Sequence, residues 1–266
     1  MTGATATYVY CLVQSPQPPA LAGAPPGLPG TGPPRLLALA TQETSGGLWA
    51  VVADASLPDY GGETIDARLS DLSWVSDRAL AHERMVEHFA AAGTVLPMKL
   101  FTLFTGDERA LARLGEQRDG IERALARIAG RVEWGVRILF HEARARQEAV
   151  AAVASAGETA GGRGFLLRKK AQQDGARERT AKARAEAERA FADLSALAAA
   201  ARRREPAATA TDGGRLLLDA AFLVPVAEGG AFEAAVERCA GELAASACEV
   251  TLTGPWPPYN FVGDPA

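Results

Sequence analysis

Apolar and polar positions alternate most cleanly in VEWGVRILF (132–140), with Val132, Trp134, Val136, Ile138 and Phe140 on one side and Glu133, Gly135 and Arg137 on the other. A period of two predicts a strand with one face in a core. YVYCLV (8–13) and LLLDAAFLV (216–224) are β-branched, aromatic or leucine-rich runs and predict further strands, and CEVTLTG (248–254) alternates Cys248, Val250 and Leu252 as the last. RLLALAT (35–41) and LWAVVAD (48–54) flank QETSGG and form a hairpin. TVLPMKLFTLF (94–104) is a strand in which Pro97, lacking a donor, marks an edge or a bulge.

Between these runs the period changes to that of a helix. From Trp74 to Ala92, Val75, Ala79, His82, Val86 and Phe89 recur at three- and four-residue spacing, and Gly93 ends the helix. Leu111, Leu114, Ile121, Leu125 and Ile128 place a second helix over Asp107–Ala129, closed by Gly130. Helical sequence occupies 142–204, broken by the glycine-rich SAGETAGGRG (155–164), and Phe232, Val236, Cys239 and Leu243 predict a final helix.

Strands and helices therefore come in two batches, β-β-β-α-β-α before residue 131 and β-α-β-α-β after it. The expected class is α+β, with two domains of two-layer α/β-sandwich type. The first spans 1–130 and includes a proline-rich stretch (15–34) expected to be a mobile loop, since it holds eight of the 16 prolines. Its P-x-x-P matches, Pro16–Pro19 and Pro26–Pro29, read as spacer rather than ligand. The second domain, 131–250, is close to a ferredoxin-like pattern lacking a strand, with a long helical insertion (142–204). An extended tail (251–266) follows.

Composition narrows the function. The net charge is −4, but 163–204 alone carries 12 basic and five acidic residues, which leaves the rest of the chain at −11. With Phe165 and Phe191 as its only aromatics and acids interspersed, the basic stretch reads as a solvated, ion-paired helix rather than an RNA platform. Arg168, Lys169 and Lys170 within it are possible partner contacts, as is the strand edge at Pro97. Cys11, Cys239 and Cys248 are too scattered for a metal knuckle or disulfide framework. No basic residue precedes Arg35 and no apolar run spans a bilayer, so the expected location is cytoplasmic.

Candidate chemistry is sparse. GETAGGRG (157–164) has the glycine spacing of a phosphate-binding loop, but Arg163 and Gly164 stand where a lysine and a hydroxyl are needed. His82 lies on the apolar stripe of its helix and is expected to be a hydrogen-bonded core residue; His88 points elsewhere, and His141 sits at a strand end. No catalytic, cofactor-binding or metal-ligating set is expected, and hence no enzyme. A small-molecule enzyme with a cleft between the domains and an RNA-binding module are the alternatives.

The tail LTGPWPPYNFV (252–262) is the most specific stretch. Pro255, Pro257 and Pro258 keep it out of helices and central strands, while exposing Trp256, Tyr259 and Phe261 together would leave a sticky patch. It is therefore expected to act as a strap, held by side-chain burial.

This tail, with VLPMKLFTLF (95–104), VEWGVRILF, GRGFLLRKK (162–170) and YVYCLV, resembles the gas vesicle protein F/L family over nearly the whole chain. Leu100 and Leu103 depart from the glycine and valine of a common form of the family's motif. The resemblance implies a two-domain α+β protein whose C-terminal domain is ferredoxin-like and whose tail packs at the domain junction. It also implies a non-enzymatic accessory or minor structural protein of gas vesicle assembly, partnered by the hydrophobic shell protein and other accessory proteins. No nucleic acid, membrane or small-molecule partner follows from it.

Overall fold

The computed structural model describes residues 5–39, 46–155, 163–205 and 214–263. Contacts divide it into two units: residues up to Arg131 together with those from Trp256 onward, and Val132–Pro255. The expected α+β class holds, with helices beside two antiparallel sheets.

In the first unit the sheet is built from β1 (Thr5–Ser15), β2 (Arg35–Leu39), β3 (Gly47–Ser56), β4 (Thr94–Pro97) and β5 (Leu103–Phe104). Its order is β2-β3-β1-β4, and β5 also pairs with β1. The central β1 is buried along nearly its whole length, and its register against β3 shifts between Val9 and Cys11. Such a bulge lets Tyr8, Tyr10, Cys11 and Val13 all reach one core. Helices α1 (Leu57–Tyr60), α2 (Gly62–Arg68), α3 (Leu72–Ala90), α4 (Asp107–Glu116) and α5 (Arg118–Ile128) complete the unit. Asp71 caps α3 by accepting a bond from the Trp74 amide at 3.1 Å.

Several expectations are corrected here. TVLPMKLFTLF is not one strand: after Pro97 the chain turns through Phe101, whose φ is +64°, before β5 begins. The single helix expected over 107–129 is two, divided at Gln117. Gly93 lies beyond the end of α3 and serves a close approach, since a Cβ there would stand 2.2 Å from the Gln14 carbonyl oxygen. Gly130 does close α5 in the left-handed region, at φ +67°. The proline-rich stretch, expected to be a mobile loop, is fastened to the unit: Leu28 is 2% exposed, and its amide donates to Tyr10 Oη at 3.0 Å. Gly32 N–H further donates to the Asp54 carbonyl at 2.8 Å.

The second unit contains β6 (Arg131–Phe140), α6 (Glu142–Ser155), α7 (Arg163–Ala196), β7 (Ala200–Arg203), β8 (Arg215–Pro225), α8 (Gly229–Ala244) and β9 (Cys248–Trp256). The order β7-β8-β6-β9 with β-α-β-β-α-β connectivity is the ferredoxin-like arrangement. The strand missing from the sequence pattern is β7. Helix was expected to continue to Arg204, but it ends at Ala196 and the chain reverses to pair Ala200–Arg203 with Leu223–Ala220. On β6, Trp134, Val136, Ile138 and Phe140 face the core, as the alternation predicts. They meet Phe222, Phe232, Val236 and Leu243, with Ala183, Ala187, Ala190 and Leu194 of α7 closing the layer. Gly135, on the opposite face, leaves room for Thr253 Oγ1, which would stand 2.5 Å from an added Cβ.

Candidate functional site

The tail is seated on the first unit. β9 carries the chain to Trp256 as an edge strand, with a cis bond at Gly254–Pro255, and a 3-10 turn follows at Tyr259–Phe261 beside α5. The turn is closed by Tyr259 N–H to the Pro257 carbonyl at 2.8 Å and Phe261 N–H to the Pro258 carbonyl at 3.1 Å. Pro257 and Pro258 are buried, Phe261 is 4% exposed, and Tyr259 packs against the core that holds Tyr8 and Tyr10. Trp256 is 37% exposed, and Pro255 is also open to solvent. Apolar burial at about 1.5–3 kcal/mol per large side chain therefore comes mainly from Phe261 and the prolines next to it, not from the tryptophan.

The core that Tyr259 joins is an aromatic and polar cluster. Tyr8 and Tyr10 meet edge to face at 4.7 Å between ring centres, and Tyr8 Oη lies 2.7 Å from His82 Nδ1. The other ring nitrogen of His82 is 3.1 Å from the Met98 carbonyl. Burial pushes the His82 imidazole down to about 4 and the Tyr8 phenol far above its ordinary range. Phe101 stacks on Trp74 at 5.3 Å, and the Arg78 guanidinium lies 4.0 Å from the centre of the Trp74 ring on α3. Tyr60 Oη donates to the Pro29 carbonyl, which ties the proline-rich stretch to the same cluster. Spacing alone could reveal Tyr8 and Tyr10, both on one strand; nothing in the sequence announces Tyr60, Arg78 or Phe101 as their neighbours.

Polar groups at the rim are paired with one another. Arg35 on β2 donates to Asp54 at 2.6 Å and to both carboxylate oxygens of Asp107, at 2.6 and 2.8 Å, while Thr7 Oγ1 donates to Asp107 at 2.7 Å. The Arg35 hydrogen bonds hold the Asp107 carboxyl below the usual range against some opposing burial, with Thr7 helping. In the second unit Asp219 accepts from Arg204 Nε at 2.7 Å and from Arg137 at 3.2 Å. Arg203 lies 4.2 Å over Phe191 and bonds Glu188.

The remaining candidate groups do not converge. His88 packs edge to face with Phe89, and His141 Nε2 lies 2.8 Å from a Glu249 carboxylate oxygen. Burial raises the thiol pKa of Cys11, Cys239 and Cys248, the last to about 11, so none is poised as a thiolate. Among the described residues no His, Cys, Asp and Glu group is arranged to hold a metal ion, and no helix is long and apolar enough to cross a membrane. A cleft of about 360 Å³ in the second unit is lined by Glu186, Arg189 and Asp193 of α7 and by Cys239, Glu242 and Leu243 of α8. Pro97 is the buried last residue of β4, an outer strand of its sheet. Arg168, Lys169 and Lys170 fall in α7, but their side chains lie outside the described residues, as do 156–162 of the glycine-rich loop and 206–213 of the linker after β7.

Over residues 6–263 the chain matches the family described as gas vesicle synthesis protein GvpL/GvpF. It is 34% identical over 246 residues to gas vesicle protein L of Streptomyces sp. (strain CB03234), covering 90% of this chain and 87% of that protein. To gas vesicle protein F of the same strain it is 28% identical over 263 residues, covering 96% and 99%. In fold it is similar to the crystal structure of GvpF from Anabaena sp. PCC7120, with a TM-score of 0.65 at 16% identity over 98% of both chains. GvpF from Microcystis aeruginosa gives a TM-score of 0.61 at 16% identity, covering 97% of this chain and 99% of that one.

Proposed function

The chain belongs to the GvpL/GvpF family of gas vesicle synthesis proteins, and on that premise we propose that it serves gas vesicle assembly by contact rather than catalysis. It is a non-enzymatic accessory or minor structural protein that binds the hydrophobic shell protein, and with it other accessory proteins, while the vesicle is built. The observation that carries this reading is the family match, which runs through both units and into the tail. The chemistry of the described residues agrees with it. His82 is held neutral inside the core, the thiols are kept protonated by burial, and Arg35 and Asp219 belong to ion pairs that fasten elements together.

A protein that handles an aggregation-prone apolar subunit needs surfaces that accept it without permanent capture. The outer strands β2 and β4 of the first sheet offer backbone for strand addition, and the sequence around Arg168, Lys169 and Lys170 is rich in positive charge. Co-expression with the shell protein followed by affinity capture tests the reading: co-purification at physiological salt is expected. Absence of the shell protein from the captured material at every salt tried overturns it.

A further inference from the structure

Among the described residues β2 and β4 close the first sheet, and β7 and β9 close the second. β2 runs for five residues from Arg35, β4 for four up to Pro97, and β7 for four that include Arg202 and Arg203. Short length, positive charge and proline are the devices that limit pairing of a sheet edge with another chain. β9 is the exception. It runs for nine residues, Cys248–Trp256, and ahead of Pro255 its one charged side chain is Glu249, which lies 2.8 Å from His141 Nε2. Val250, Thr251 and Thr253 are β-branched, a composition suited to pairing.

The backbone of β9 is bonded on one side and open on the other. The His141 amide donates to the Ala247 carbonyl at 3.0 Å, so Ala247 faces β6. Alternation along a strand then turns the amides and carbonyls of Cys248, Val250 and Leu252 away from β6, where the sheet has no further strand among the described residues. Positive-φ residues bound the stretch, Ala247 at +56° and Gly254 at +114°. Side chains alternate too: Cys248, Val250 and Leu252 lie on the helix-covered side, the last two only partly buried at the margin of the core, while Glu249, Thr251 and Thr253 are exposed on the other.

We propose that β9 is the two-fold seam of a homodimer, pairing antiparallel with β9 of a second copy about Thr251. In that register Val250 and Leu252 exchange both backbone bonds with Leu252 and Val250 of the second copy, and their side chains cover one another along the core margin. Glu249 stands opposite Thr253, and Thr251 meets its own counterpart in the non-bonded pair. No like charges stand opposite across the seam. A foreign strand would have to reproduce this alternation, which a second copy has by identity. So short a ladder makes a weak dimer. The inference is independent of shell binding.

The test follows the full chain by sedimentation velocity over about 1–300 µM, the range of weak interfaces, beside Thr251→Lys and Thr251→Glu, both at an exposed position. The unsubstituted chain is expected to form a dimer as concentration rises. Either charged variant sets like charges together at the two-fold and should weaken dimerisation at least about tenfold. An equal mixture of the two should recover to within about threefold of the unsubstituted chain, because opposite charges then meet. Arg137, on the exposed side of β6 and bonded to Asp219, is common to every variant and leaves that comparison intact. A chain that stays monomeric throughout overturns the proposal. So does a dimer that both charged variants keep, or one that they lose and the mixture does not restore. A second measurement does not depend on the charged variants. On oxidation with diamide Thr251→Cys should cross-link to its counterpart, since a non-bonded antiparallel pair brings Cα atoms to about 4.5 Å. Thr253→Cys, set opposite Glu249, should not; Cys11, Cys239 and Cys248 are common to both. Cross-linking of both variants alike, or of neither, overturns the seam.

Discussion

Tyr8 Oη donates to His82 Nδ1 across 2.7 Å, and the reason lies on the far side of the ring. The Met98 carbonyl, 3.1 Å from Nε2, can only accept, so Nε2 carries the proton and Nδ1 is the acceptor. One strand, one helix and the turn before β5 are thereby joined through a neutral imidazole. Protonating it would set two donors face to face at Nδ1, and burial opposes the charge as well.

The pH dependence follows. The imidazole is held at about 4 in the folded chain against 6.5 when free, so the unfolded chain binds the proton first as pH falls. The contribution is complete above pH 6.5 and is lost progressively between there and pH 4, on the order of 3 kcal/mol in all. Urea melts across this range should show stability declining with acid, and His82→Gln should flatten that slope while lowering stability at pH 7. Tyr8→Phe, which strips the donor from Nδ1 and an acceptor from the Phe101 amide, should cost about 1–3 kcal/mol at pH 7.

In the tail, Phe261→Ala should destabilise by about 3–5 kcal/mol, because the ring is almost wholly enclosed. Trp256→Ala should cost less than about 1 kcal/mol, since much of that ring already meets solvent. Chemical denaturation of the two variants side by side checks the order. An equal loss from both would contradict the seat described for the turn.

Two glycines of neighbouring sequence should respond oppositely to the same substitution. Gly130→Ala should cost about 1 kcal/mol because its φ of +67° is strained for any side chain, although space around it is open. Gly120→Ala, inside α5 and with only the end of Arg123 near the new methyl, should gain about 0.5–1 kcal/mol. Thermal melts resolve both signs.

Arg35 joins β2 to β3 and to the start of α4, but its partners are well exposed. Arg35→Ala should therefore cost only about 0.2–1 kcal/mol per pair lost, and the cost should shrink in 1 M salt. The Asp107 carboxyl sits below its ordinary value, so its share is present at neutral pH and disappears as acid protonates it. A double-mutant cycle with Asp107→Ala at two salt concentrations measures the coupling.

The strand β6 was readable because one side of it meets a core and the other does not: alternation is the trace that a one-sided environment leaves in a sequence. His82 was readable for the same reason, a polar residue on an apolar stripe having to find partners, though Tyr8 and Met98 could not be named in advance. β7 was hidden because alanine and arginine are strong helix formers. Pairing with β8 overrode that preference over four residues. Leu28 was hidden among prolines, whose backbone rules out regular structure yet does not prevent one leucine from entering a core. Trp256 misled in the opposite way. Residue type gave it the largest apolar surface in the tail, but the turn at Tyr259–Phe261 directs Phe261 inward instead.

Tyr259, carried by the turn that buries Phe261, packs on a core whose other members begin at Tyr8. During synthesis on a ribosome the first unit must wait, incomplete, while more than a hundred intervening residues are made. A nascent chain that stalls or is cut short before this turn has its second sheet but not its finished first unit, which makes maturation of the earlier-made half a report on completion of the later one.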